Sequence, residues 1–140
     1  MSNDGGAWET HGMRIDRLDH LVLTVADLDA TIAFYRDVLG MEAQTFGDGR
    51  RALRFGTSKI NLHELGRSPR PHAAAPLPGS ADLCLIVEGP LDDVVSELID
   101  AGVPVEEGPV ERTGATGPIR SVYVRDPDRN LIELSEYLPR

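Results

Sequence analysis

Two stretches of the chain carry the same order of apolar and polar positions. His20 opens the apolar run LVLTV, and ATIAFYRDVLG follows with Leu28, Ile32, Tyr35 and Leu39 at helical spacing. Asp27 or Asp29 is placed to cap that helix, and Gly40 stands where a helix end favours a left-handed residue. Sixty-two residues on, Asp82 opens LCLIV, and LDDVVSELIDAG sets Leu91, Val94, Val95 and Leu98 on one helical face before Gly102. Three short strand candidates follow each helix: Glu42–Phe46, Arg51–Phe55 and Lys59–Glu64, then Val103–Glu107, Ile119–Arg125 and Asn130–Tyr137.

Both halves read βαβββ, which makes the fold class α+β, built from two modules in tandem. A repeat that occurs only twice is the pattern of fused modules sharing a core, not of a solenoid. The expected organisation is a polar, glycine-rich tail over residues 1–13 and one domain over 14–138. That domain divides into a module over 14–66, a Pro/Gly/Ala-rich linker over 67–79 and a module over 80–138. The last strands align with a shift of 72, Ile60-Asn61-Leu62-His63 on Ile132-Glu133-Leu134-Ser135. The additional residues are expected in the flexible loop Glu111–Gly117, either a lid or a plain solvent loop.

Composition narrows the function classes. At 140 residues and 41% hydrophobic, the chain has the size and content of one globular domain. Its apolar runs are too short to span a bilayer, no secretory leader pattern opens it, and its one cysteine, Cys84, allows no internal disulfide. A cytoplasmic setting is the expectation. Twenty-three acids against 14 bases leave a net charge of −9 with no basic run, which argues against nucleic acid and is compatible with a metal ion or a cationic small molecule.

Candidate chemistry follows from strand alternation, in which every second side chain shares a face. Asn61 and His63 point one way, as do Glu133 and Ser135. If the first and fourth strands of each module are neighbours, His20, Asp82, the Asn61/His63 pair and Glu133 can address one concavity. Imidazole and carboxylate together suit divalent first-row metals. Glu133 is flanked by Leu131, Ile132 and Leu134, and an acid turned inward among such neighbours requires a partner. Arg54 and Arg120 are candidates for holding an anionic substrate, and Tyr123 lies on a strand whose inward side is open at this point. His72 in the linker, His11 and Trp8 in the tail, and Cys84 in an apolar strand are assigned no specific role.

LDHLVLTVADLDATIAFYRDVLGM, KINLHE and VYVRDPDRNLIELSEY, with the motif DPD-x-N-LIEL, resemble the vicinal oxygen chelate superfamily of glyoxalase I, fosfomycin-resistance proteins, type I extradiol dioxygenases and bleomycin-binding proteins. The resemblance runs from Ile15 to Tyr137, and NLHE, GSADLCLIV and GATGPIRSVYVRDPD are nearest to the glyoxalase-domain-containing protein 5 group and related bacterial virulence-protein homologues. It implies a cup-shaped mixed sheet with helices outside, and a homodimer. It further implies a divalent metal ion (Ni, Mn, Fe, Zn or Mg) bound by His20 and Glu133, with His63 or Asp82 left to complete the set and Glu133 also a proton carrier. Arg54, Arg120, Tyr123 and Asn61 are the candidate substrate contacts. Asp82 stands where many members have a second histidine, Asn61 where glyoxalase I has a glutamate, and Arg129 where the turn often has glycine. The function implied is a metal-dependent lyase, isomerase or dioxygenase acting on a small oxygenated substrate by bidentate chelation. The alternative is a non-catalytic, bleomycin-resistance-like small-molecule or antibiotic binder.

Overall fold

The computed structural model describes residues 12–139, so His11, Trp8 and most of the expected tail lie outside the described residues. Two four-stranded mixed sheets make up the structure. In the first, β1 (His20–Val25), β2 (Glu42–Phe46), β3 (Arg50–Phe55) and β4 (Ser58–Glu64) lie in the order β1-β4-β3-β2. In the second, β5 (Asp82–Ile86), β6 (Glu107–Thr113), β7 (Pro118–Arg125) and β8 (Leu131–Tyr137) lie in the order β5-β8-β7-β6. Helix α1 (Leu28–Ala33) runs on into a π-helical turn over Phe34–Val38, and α2 covers Leu91–Asp100. None of the helices among the described residues is long and apolar enough to cross a membrane.

The repeat extends to the hydrogen-bond register. First and fourth strands are parallel neighbours in both modules, with His20 opposite Lys59 and Asp82 opposite Leu131. The sequence offsets of 62 and 72 relate the two pairs. Asp27 caps α1 through a bond from the Ala30 N–H to Oδ1 (3.0 Å). Gly40 and Gly102 end the helical segments at φ 76° and 73°, a left-handed conformation that disfavours a Cβ.

One strand departs from expectation. The pattern over Val103–Glu107 predicts a strand and Glu111–Gly117 a loop, but β6 runs from Glu107 to Thr113. Pro104 has no N–H to give to a ladder, so Val103 and Val105 pack against the core without pairing. The register with β7 shifts between Glu107 and Val110, and a Cβ at Gly108 would clash with the Ser121 carbonyl oxygen. The loop is thereby reduced to a tight turn over Gly114–Gly117, tied by a Gly114 N–H bond to the Gly117 carbonyl (2.8 Å).

One face of each sheet carries Leu23, Val25, Leu53, Ile60 and Leu62, or Val122, Val124, Ile132 and Leu134, and these join Ile32, Tyr35, Leu91 and Leu98 of the helical segments in a single apolar core. The modules are also joined by hydrogen bonds. The Tyr35 hydroxyl donates to Asp126 Oδ2 at 2.6 Å, and Asn130 Nδ2 donates to the same oxygen at 2.8 Å. The backbone N–H groups of Asp128 and Asn130 both donate to Asp126 Oδ1 at 2.9 Å. Burial first, and the Asp126 carboxylate second, raise the Tyr35 phenol far above its ordinary range, so it acts only as a donor. Tyr35→Phe is expected to cost about 1–2 kcal/mol and Asp126→Ala about 3 kcal/mol, because the latter orphans several buried donors at once. Urea unfolding of the two variants beside the parent protein measures both.

Candidate functional site

Because the helix-side faces of both sheets share one core, their other faces point away from it, and the candidate residues fall on these two open faces. Register sorts them into rows. On the first sheet one row reads His20, Lys59, Arg54, Glu42; the next reads Val22, Asn61, Ala52, Gln44. The third holds Thr24 beside His63, and Arg50 beside Phe46. On the second sheet the rows are Asp82, Leu131, Arg125, then Cys84, Glu133, Tyr123, Glu107, then Ile86, Ser135, Ser121, Val110. Asp82 therefore occupies the position of His20, and Glu133 that of Asn61.

Two placements correct the sequence expectation. His63 is aligned with Thr24, four residues along β1 from His20, or about 13 Å at the rise of a strand. That is too far for both imidazoles to hold one ion within a chain. Arg120 does not line the open face. It is opposite Glu136, which accepts the Leu91 N–H at the start of α2, and it pairs with Asp92 of that helix at 3.2 Å. Odd-numbered positions of β7 face outward, so Tyr123 is on the site side and Arg120 behind it. His20 and Glu133 are on different sheets, and among the described residues no three His, Cys, Asp or Glu side chains are grouped to hold a metal.

His20 and Glu133 are each held by a hydrogen-bonding neighbour. The His20 ring bonds through Nδ1 to Asp19 Oδ1 (2.9 Å), which leaves Nε2 directed elsewhere, and hydrogen bonding to His20 is the main cause of the lowered pKa of Asp19. Glu133 is held through Oε2 by the Ser121 hydroxyl (2.7 Å) and more weakly by Ser135 (3.4 Å), so Oε1 is available. The same chain of contacts continues from Ser121 to Ser135 (2.6 Å) and from Ser135 to Cys84 Sγ (3.3 Å). Burial, opposed by the Ser135 bond and reinforced by the Glu133 charge, pushes the Cys84 thiol up. Sequence reasoning set Ser135 on the face of Glu133 without giving it a role and missed Ser121, although Ser121 shares the same alternation parity across the β7–β8 turn.

The linker is part of the first open face. Pro71, His72, Ala75 and Leu77 close a cavity of about 160 Å³ against Thr24 and His63. Nε2 of His63 and Oδ1 of Asn61, which is 5% exposed, are buried without a hydrogen-bond partner. Burial, then the charges of Arg50 and His72, lower the pKa of His63. On the second module, Cys84, Ile86, Gly114, Glu133 and Tyr137 line a cavity of about 390 Å³, and the Thr116 N–H holds the Gly114–Gly117 turn to Tyr137 Oη (3.2 Å).

Residues 17–134 match the family model described as the glyoxalase/bleomycin resistance protein/dioxygenase superfamily. The chain belongs to that superfamily. It is 58% identical over 130 residues to Virulence protein STM3117 of Salmonella typhimurium strain LT2, covering 93% of this chain and 90% of the relative. Against the crystal structure of that protein the TM-score is 0.89, with 90% of this chain and all (100%) of the other covered. Glyoxalase domain-containing protein RDO1 of Mycosarcoma maydis is 52% identical over 133 residues, covering 93% of this chain and 75% of the relative. Lactoylglutathione lyase from Agrobacterium tumefaciens has the same fold at 28% identity and a TM-score of 0.68, covering 89% of this chain and 96% of that one.

Two titrations follow from these environments. The raised Cys84 thiol is expected to react with iodoacetamide at pH 7.5 several-fold more slowly than an unperturbed thiol, since the thiolate is the nucleophile. Glu133→Gln, which removes a neighbouring negative charge, is expected to accelerate that reaction. The folded pKa of His63 lies below its ordinary 6.5, so in the window beneath 6.5 the unfolded chain takes up a proton that the folded chain does not. Stability contributed by this residue therefore falls as pH drops through that window. The fall is expected to be smaller in His63→Phe, measured by urea unfolding from pH 7 to pH 5.

Proposed function

We propose that the protein is a divalent-metal-dependent enzyme acting on a small oxygenated substrate, and that its site is assembled from two copies of the chain. The observation that carries this reading is the equivalence in register of His20 with Asp82 and of Asn61 with Glu133, on two sheets whose His, Cys, Asp and Glu side chains form no group of three among the described residues. A homodimer that sets the first module of one copy against the second module of its partner brings His20 to Asp82 and Glu133, and such a pairing closes the exposed faces of both sheets. Within one chain the residues do not fit a single ion; across such a dimer, His20 Nε2, the Glu133 carboxylate and Asp82 are a nitrogen–oxygen donor set suited to a first-row divalent metal.

The chain's own groups then divide the work. Asp19 orients the His20 ring, and Ser121 with Ser135 orients Glu133, as hydrogen-bonded supports of ligands do. Glu133 has one oxygen tied and one free, which suits a group that holds or moves a proton at Oε1. Arg54, Asn61 and Tyr123, on the same sheet faces, are the side chains assigned to the substrate in this reading. A metal at this position supplies Lewis-acid polarisation of two neighbouring substrate oxygens.

The reading is tested by metal analysis and sedimentation of the untagged protein. About one ion per chain and a dimer are expected, with the ion lost in His20→Ala and in Glu133→Ala and its affinity reduced roughly tenfold or more in Ser121→Ala. Co-expressed His20→Ala and Glu133→Ala chains form a mixed dimer, in which a site shared between copies regains metal at one of its two positions. No uptake of Ni²⁺, Mn²⁺, Fe²⁺, Zn²⁺ or Mg²⁺ by the dimer would sink the enzyme reading and leave a ligand-binding protein without catalysis.

A further inference from the structure

We infer that the open face of the first module is an anion-binding half-site, built by Arg50, Arg54 and Lys59 to hold a small molecule with an oxyanion group of two or more negative charges, such as a phosphate, phosphonate or dicarboxylate. The inference rests on the reading above only in placing the substrate at the open faces; the cations themselves are independent of any metal.

The first observation is the local charge. In a chain of net charge −9, Lys59 and Arg54 are cross-strand neighbours and Arg50 lies two rows away on the same face. Lys59 Nζ stands 3.8 Å and Arg50 Cζ 5.1 Å from the centroid of the Phe46 ring, so the two charges are within about 9 Å of each other. That is close to the Debye length at physiological salt, and their repulsion is only partly screened. A ring quadrupole attracts each cation but does not neutralise either.

The second observation is the lack of close ion pairs to balance them; the charge of Lys59 is felt by Asp19, but not as a pair within 4.0 Å. Arg17, Arg36, Arg67, Arg112, Arg120 and Arg125 each have an acidic group within 4.0 Å. On the open face of the second module both arginines are paired in this way, Arg112 to Glu107 and Arg125 to Glu106. Arg50, Arg54 and Lys59 have no such pair among the described residues, and Glu42, opposite Arg54 across the strands, does not form one.

The third is an unmet acceptor beside the cations. Ala52, the smallest side chain of the rows, lies between Arg50 and Arg54 along β3 and is itself covered, at 1% exposure, so the cations stand around a small buried side chain. Beside it is Asn61, 5% exposed, whose Oδ1 is buried with no donor. A ligand with an oxyanion among the three cations and a donor group toward Asn61 satisfies both the positive charges and the orphaned oxygen. The ligand class is thus an oxygen-rich anion, and the cations set its specificity.

Isothermal titration of the metal-stripped full chain with sodium pyrophosphate and with sodium succinate at low ionic strength tests this. Saturable binding of at least one anion is expected, weakened about fivefold in Arg54→Gln and in Lys59→Gln and unchanged in Arg36→Gln, whose parent residue pairs with Asp37 away from the sheets. Binding of neither anion, or binding that Arg54→Gln and Lys59→Gln leave intact, would overturn the inference. Dimer dissociation in Lys59→Gln without any anion binding would also overturn it, and would assign the cations to the acids of a second copy. Metal is absent throughout, so failure here is separate from failure of the metal analysis.

Discussion

The Asp126 carboxylate, buried where the modules meet, is the constraint on which the rest of the structure depends. An acid at 4% exposure is costly unless donors surround it, and here Tyr35, Asn130 and two backbone N–H groups do so. Tyr35 belongs to the helical segment of the first module, and Asp126 and Asn130 to the turn between β7 and β8. Asn130 passes the constraint on, since its Oδ1 accepts the Ala81 N–H at 2.8 Å and so fixes the start of β5. Asp128 Oδ1 accepts the Ala26 N–H at 3.2 Å at the end of β1. One turn thereby sets the positions of both first strands, which carry His20 and Asp82.

The same turn explains how a short chain orients two sheets without joining them by a ladder. Their helix-side faces are buried in one core, and the polar cluster fixes how the modules dock across it. The open faces are left to differ. One carries unpaired cations and a linker that covers its His63 end; the other carries Glu133 in a chain of hydroxyl and thiol contacts, with its arginines neutralised. Duplicated backbones with equivalent registers thus present different chemistry, because the helix side is constrained by packing and the open side is not.

Much of the architecture is legible in the sequence because it is local. Alternation and helical spacing locate the strands and helices, and the 62-residue shift of His20 to Asp82 and Gly40 to Gly102 reveals the duplication from residue positions alone. The glycines end helices because φ near 75° suits no other residue as well. The expected strand over Val103–Glu107 does not form because apolar content signals burial and not pairing, and Pro104 and the Gly108-Pro109 bulge move the ladder onward.

The sequence by itself determined the fold class, the two modules, their family, and which side chains alternate onto each strand face. Those follow from periodicity and motif, which are properties of neighbours along the chain. Tertiary structure alone decided which face is open, that His63 stands most of a strand's length from His20, that Arg120 serves α2, and that His20 and Glu133 lie on separate sheets. Each of these depends on register and docking between segments far apart in sequence, and a shift of one residue in register reverses every face.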